Sequence, residues 1–323
     1  MNKIHTKTLF SALLLALWSP VGAQSGNLTS KRGFGFTADS QNADINLLLS
    51  GKSPLDWYYT WSLYPATTVN DTRPFVPLIH GLDDASQSGL EDLLDKLPSS
   101  STHLLAFNEP DEQENSGGSA VSPEDAAKSY IDHIVPLRTA GRRWNISHPV
   151  TTGSSRGLDW LRQFNESCYD IDSKHGCPAD FLAVHWYGNF DGLKAWVETL
   201  RDFYGNSTAT AHLPFWLTEF ALPQGDSDAT AGMMNESLAY LDGLDYIDAY
   251  AWFGAFRADK ANGFVGGNVA LFDSSGKLTE IGATYLGGTA NGFAQGMGGN
   301  AAASVRVSAW TMALVGFAVL FSM

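Results

Sequence analysis

A (β/α)8 barrel forming one catalytic domain is the fold class this sequence predicts, and three observations predict it. Eight short apolar runs recur between residues 31 and 286, most of them continuous rather than alternating, as strands buried on both faces read. Helical patterns fall between them. The set fits the roughly 250 residues such a barrel occupies. An open doubly wound sheet is the structural alternative. No internal repeat and no second domain is visible.

The candidate strands are residues 33–37, 56–61, 74–80, 103–108, 149–154, 180–186, 215–219 and 248–253. Between the third and fourth, Leu90, Leu93, Leu94 and Leu97 fall at helical spacing within 87–97. The next helix opens on Ser122-Pro123-Glu124-Asp125, a capping serine followed by a first-turn proline and early acids. It continues through Ala127, Tyr130, Ile134 and Leu137. Segments 157–164, 192–203, 233–244 and 278–286 supply further helices, while the link from Trp61 to Pro74 carries no clear one. From Gly287 the chain is glycine-rich and reads as a linker, so the domain is expected to span 24–290 and the linker to run to residue 300.

In a barrel of this kind the carboxyl ends of the strands form the active mouth. Glu109 follows the apolar run Leu104-Leu105-Ala106-Phe107 at the end of strand four. Glu219 follows Pro214-Phe215-Trp216-Leu217 at the end of strand seven. A carboxylate is costly to bury unless it is paired or used. Two such groups meeting in one mouth make an acid and a nucleophile for glycoside hydrolysis, with retention if they stand about 5 Å apart. An ion pair is the plain alternative for either one taken alone. Trp57, Tyr58, Trp61, Trp186, Tyr187, Trp252 and Phe253 fall late in strands and are expected to offer apolar faces to a sugar. His80 and His185 also end strands, ready to bond hydroxyls or to orient a glutamate.

Gly153-Ser154-Ser155-Arg156-Gly157 fits the G-x-S-x-G pattern of a nucleophilic serine. That reading needs a histidine late in the chain, and the last one is His212. No H-E-x-x-H, phosphate-cradling loop or dinucleotide fingerprint occurs, so no cofactor and no metal is expected. The formal charge of −14, with no Lys/Arg run longer than two, argues against nucleic-acid binding. Aromatic content of 12% and ten tryptophans suit both a large core and a sugar-handling surface.

The ends read as addresses. Residues 1–23 have the layout of a secretory signal: Lys3 and Lys7, an apolar middle over 9–17, and Val21-Gly22-Ala23 for cleavage. At the other end, Gly296 to Ala302 are mostly small, and residues 309–323 are apolar. This is the pattern of a glycolipid anchor added at Asn300, Gly299 or Gly298, with 301–323 removed. A tail-anchor helix is disfavoured by the short run and the lack of a following basic cluster. Sequons at Asn27, Asn70, Asn145, Asn165, Asn206 and Asn235 suit a secretory route. Cys168 and Cys177, the only cysteines, are expected to form one disulfide in that compartment. A secreted, surface-tethered monomer is expected.

Several stretches resemble a known family, the alkali-sensitive-linkage-protein-like fungal glycosyl hydrolases, glycoside hydrolase family 128 of clan A. They are Leu104-Leu105-Ala106-Phe107-Asn108-Glu109-Pro110-Asp111, Ala183-Val184-His185-Trp186-Tyr187-Gly188, Trp216-Leu217-Thr218-Glu219-Phe220-Ala221 and Tyr250-Ala251-Trp252-Phe253-Gly254. Tyr59-Thr60-Trp61-Ser62 and Phe75-Val76-Pro77-Leu78 match more loosely. The resemblance implies a retaining β-1,3-glucanase acting on β-glucan, with Glu109 as acid/base and Glu219 as nucleophile. It also implies that Asn108 holds the 2-hydroxyl of the sugar being cleaved. Ile79-His80 departs from the pattern, which has an apolar residue or tryptophan closing strand three.

Overall fold

The computed structural model describes residues 28–36, 42–69 and 73–299. The expected leader, Asn27, Asn70, Asn300 and the tail at 301–323 lie outside the described residues. In chain order the main elements are β1 (Arg32–Gly35), α1 (Asn42–Leu48), β2 (Trp57–Tyr59), β3 (Leu78–Ile79), α2 (Leu82–Ser86), α3 (Leu90–Asp95), β4 (His103–Asn108) and α4 (Pro123–Ser129). There follow β5 (Asn145–Val150), α5 (Ser155–Ile171), β6 (Phe181–Tyr187), α6 (Phe190–Gly205), β7 (Phe215–Ala221), α7 (Ser227–Asp242), β8 (Ile247–Trp252) and α8 (Glu280–Tyr285). The strands are parallel, and β1 lies between β2 and β8. The ring is completed where Tyr58 bridges Phe75 ahead of β3, with the Val76 N–H donating to the Tyr58 carbonyl at 2.9 Å. The predicted barrel is thus the observed one.

Alternation along each strand divides the core in two. Trp57, Tyr59, Leu105, Phe181, Trp216, Ala249 and Ala251 fill the barrel interior. Tyr58, Leu104, Ala106, Leu182, Leu217, Tyr250 and Trp252 face outward into the helical layer. Both faces are therefore apolar, which is why the strand sequences read as continuous runs. Helices begin at side-chain caps: Ser122, Ser154, Asn189, Asp226 and Thr279 each accept a backbone N–H three residues on. These caps lie at the mouth end of the barrel and fix where the mouth loops stop.

The structure corrects the sequence reading in three places. β5 runs over Asn145–Val150 rather than 149–154; its polar start, Asn-Ile-Ser-His, hid it, and Ser154 is already the cap of α5. Helix α1 lies outside the helical segments expected from the sequence. The glycine-rich stretch is docked rather than a free linker up to Gly299. Phe293 is buried, Leu278 N–H donates to Met297 O at 2.7 Å, and Lys277 bridges Gly298.

Cys168 in α5 and Cys177 are disulfide-bonded, with Cα atoms 5.3 Å apart. Asn165, Asn206 and Asn235 are exposed on or beside α5, α6 and α7, whereas Asn145 is half-buried at the start of β5.

Two buried histidines lie away from the mouth. Burial pushes His103, against Trp216, and His148, bonded to the Cys177 carbonyl, down to about 4. Below their ordinary 6.5 the unfolded chain takes up protons that the folded chain refuses. Stability is therefore full above pH 6.5 and falls as pH drops towards 4, by on the order of 3 kcal/mol per histidine at the limit. Denaturant unfolding across pH 7 to 4 should show that decline, and His103→Phe should remove about half of it.

Candidate active site

Glu109 stands one residue beyond β4, on backbone that an ordinary chain avoids. Phe107 and Glu109 have φ of 33° and 39°, left-handed values costing on the order of 1–3 kcal/mol each for residues with a side chain. The surroundings hold them there. Glu109 N–H donates to Val150 O at 2.8 Å, and its carbonyl accepts from Glu112 N at 2.9 Å and Ser119 N at 3.2 Å. Asp111 fastens the same turn to the start of α5. Its carboxylate accepts from Thr152 N at 3.0 Å, bonds the Thr152 hydroxyl and pairs with Arg156 at 3.4 Å.

Glu219 depends on a different irregularity. Val184 pairs Leu217, yet His185 pairs Glu219, so β7 carries one extra residue at that point. Strict alternation from the inward Trp216 would send Glu219 out to the helices. The bulge reverses the parity and turns its carboxylate into the mouth.

The two acids meet. Carboxylate oxygens of Glu109 and Glu219 and a ring nitrogen of His185 all lie within 4.8 Å of one another. His185 is buried between them, its Nδ1 2.9 Å from Glu109 Oε1 and its Nε2 3.5 Å from Glu219 Oε1. Glu219 Oε1 also accepts from Trp61 Nε1 at 2.6 Å and Tyr59 OH at 3.4 Å, and its Oε2 accepts from Tyr187 OH at 2.5 Å. Among the described residues this trio also forms a cluster of metal-binding spacing. Donors from Trp61 and Tyr187 are already aimed at Glu219, an arrangement that suits proton chemistry.

Burial lifts the Glu219 carboxyl above its usual range; His185 opposes, the Glu109 charge adds, and the Tyr187 and Trp61 donors oppose again. His185 is pushed down by burial, but the charges of Glu219 and Glu109 prevail and hold it above its usual value. Tyr59 and Tyr187 are raised well above 10 by burial and by the Glu219 charge. Both phenols keep their protons; Tyr187 donates to Glu219, which favours its ionised form, while the single Tyr59 proton is shared between Thr218 O at 3.0 Å and Glu219.

Of the predicted site residues, the structure brings Asn108, Glu109, Trp61, His185, Tyr187, Glu219 and Phe253 together. The Asn108 amide donates to Gly117 O at 3.1 Å, and its buried Oδ1 has no partner among the described residues. His80 lies beside it, also bonded to Gly117 O, at 3.2 Å. Four aromatic residues expected at the mouth are elsewhere. Trp57 is inside the barrel but in its floor, against Trp216. Tyr58 and Trp252 point outward by alternation, Tyr58 stacking on Phe34 and Trp252 bonding Val269 O. Trp186, the neighbour of the inward His185, also turns out; it lies over Gly192, where a Cβ would fall 2.2 Å from its ring. The sequence reading missed Tyr59, although Trp57, Tyr59 and Trp61 share one face by the period of two. Ser155 is exposed in the first turn of α5, while Ser154 acts as a cap, so that motif is a helix start.

A barrel mouth holding two close glutamates, one of them buried among donors, has the layout of a glycosidase, and comparison with known proteins agrees. The sequence model of the family described as glycosyl hydrolase catalytic core matches residues 33–285. Alkali-sensitive linkage protein 1 of Schizosaccharomyces pombe is 31% identical over 239 residues, covering 72% of this chain. The chain spans 40% of that relative's length. The crystal structure of a subgroup VI exo-β-1,3-glucanase from Aureobasidium namibiae superposes with a TM-score of 0.66 at 22% identity, covering 80% of this chain and 97% of that one. A curdlan-specific exo-β-1,3-glucanase of subgroup III from Blastomyces gilchristii, solved with glucose, gives 0.59 at 27% identity over 80% and 97%. The chain belongs to the glycosyl hydrolase catalytic core family, and within it to glycoside hydrolase family 128.

Removing a donor should strengthen the upward push on the buried acid. In Tyr187→Phe the Glu219 carboxyl, followed by carbon NMR, should titrate at a higher pH than in the parent protein.

Proposed function

We propose that this chain is a retaining glycosidase that cleaves β-1,3-glucan, with Glu219 as nucleophile and Glu109 as acid/base. The observation that carries the reading is the separation: carboxylate oxygens within 4.8 Å suit the retaining class, at about 5–5.5 Å, and leave no room for the water that inverting enzymes place between their acids, at about 6.5–9.5 Å. The role of each acid follows from its surroundings. Glu219, held by donors from Trp61 and Tyr187, is the acid fixed in place for attack on the anomeric carbon. Glu109, with His185 as its side-chain partner, is the acid with fewer fixed donors and is assigned the glycosidic oxygen.

In the first step Glu109 protonates the glycosidic oxygen while Glu219 attacks the anomeric carbon, and a glycosyl ester forms as the leaving sugar departs. In the second, Glu109 takes a proton from water, the water attacks that carbon, and Glu219 leaves as carboxylate. Asn108 Oδ1, buried and unpartnered, is the acceptor offered to the 2-hydroxyl, and Trp61 and Phe253 supply apolar faces. β-1,3-glucan as substrate is supported by what the solved relatives are described as cleaving. The leader, sequons and small-residue tail of the sequence support a secreted protein tethered at the cell surface by a glycolipid anchor.

Glu109→Gln and Glu219→Gln should each lower release of reducing sugar from β-1,3-glucan by at least about 10²-fold with the fold intact. Full activity in either variant overturns the assignment, and turnover of mannan or β-1,4-glucan in place of β-1,3-glucan moves the substrate. Azide added to Glu109→Ala should restore turnover and yield a β-glycosyl azide; an α product reverses the two roles. With a substrate whose leaving group needs no proton, Glu109→Gln should also shift the acidic limb of kcat/KM to lower pH. The Glu109 charge raises the Glu219 carboxyl, so its removal lets Glu219 ionise in more acidic solution.

A further inference from the structure

Few large apolar side chains are exposed among the described residues, and Phe264, at 59%, is one of them. It lies on the loop that follows β8. Its ring meets that of Tyr187 edge-on, centroids 5.3 Å apart, and Tyr187 is the donor to Glu219 Oε2. Tyr187 in turn meets Phe253 at 5.7 Å, and Phe253 meets Trp61 at 5.8 Å. A line of rings thus runs from the nucleophile outward and ends on an exposed face.

A lone exposed phenylalanine is ordinary; one locked in place at the rim of a catalytic mouth is not. Gln224, after β7, donates its amide to Gly263 O at 2.8 Å and Phe264 O at 3.0 Å. The Gln224 backbone, held at φ 55°, donates to Val265 O at 3.0 Å. Asn262 Oδ1 accepts from Phe264 N at 3.1 Å and Val265 N at 2.9 Å. The backbone on both sides of the ring is therefore fixed before anything binds, which lowers the ordering cost of a contact made there.

We propose that Phe264 is a stacking platform for a sugar unit outside the cleaved linkage, and that it sets how much a longer β-1,3-linked chain gains over a shorter one. The C–H face of a pyranose ring suits its exposed apolar face, whereas the sugar's hydroxyls remain in water at the rim. The proposal rests on the glucanase reading above.

The test compares kcat/KM on β-1,3-linked oligosaccharides of increasing length for the parent, Phe264→Ala and Phe264→Tyr. The parent should gain about threefold to tenfold in kcat/KM where the chain first reaches the platform. Phe264→Ala should lose that step, and Phe264→Tyr should keep it. An unchanged length profile in Phe264→Ala overturns the proposal. So does an equal loss at every length, which would mean that Phe264 acts only as a support for Tyr187. Calorimetry with Glu219→Gln separates this from failure of the function itself. No turnover by the parent and no binding of any oligosaccharide sinks the glucanase reading; turnover with a flat Phe264 effect sinks only the platform.

Discussion

The burial of the Glu219 carboxyl is the constraint around which the rest of the mouth is arranged. A carboxylate removed from water without partners is too costly to keep ionised. Tyr187, Trp61 and Tyr59 supply hydrogen bonds to it, and His185 supplies opposing charge. These partners come from β2, β6 and the turn beyond β2, so the site exists only when the ring of strands is formed. The rings that donate are also packed on one another: Trp57, Tyr59 and Trp61 follow each other up one face of β2. The barrel floor and the acid above it therefore belong to one column, and a substitution low in the core reaches the chemistry through contact.

Regular strands would have failed to build this mouth. On β7 a bulge turns Glu219 inward; on β4 the left-handed Phe107 and Glu109 break the alternation. Trp61, which donates to Glu219, also has positive φ, at 54°. The departures from ideal backbone lie where side chains must be re-aimed, and ordinary hydrogen bonds around them carry the strain. The Asp111 link to Thr152 and Arg156 is one such restraint, tying the turn that carries Glu109 to the start of α5.

The barrel was legible because its strands are apolar on both faces and its helices begin at recognisable caps. The two glutamates were legible because each interrupts an apolar run. Ring direction was harder. Trp57, Tyr58, Trp186 and Trp252 are aromatic residues in mouth-forming strands, but whether such a residue faces the axis or the helices depends on parity, which bulges alter. Its height along the barrel depends on register, and neither is written in composition. The polar start of β5 and the docking of Phe293 were hidden for a related reason: both rest on contacts with distant parts of the chain. Gln224 and Asn262, the supports of Phe264, carried no local signal at all.

The docked stretch after α8 decides where the chain leaves the barrel. Lys277 and Leu278, which hold it, precede the capped start of α8, and a Cβ at Gly299 would fall 1.6 Å from the carbonyl oxygen of Ala43, near the start of α1. Helix starts in this fold lie level with the catalytic opening. The exit is therefore beside the opening and not at the opposite end of the barrel. Gly299 thus stands on the same side of the barrel as the paired glutamates, away from the floor packed by Trp57 and Trp216.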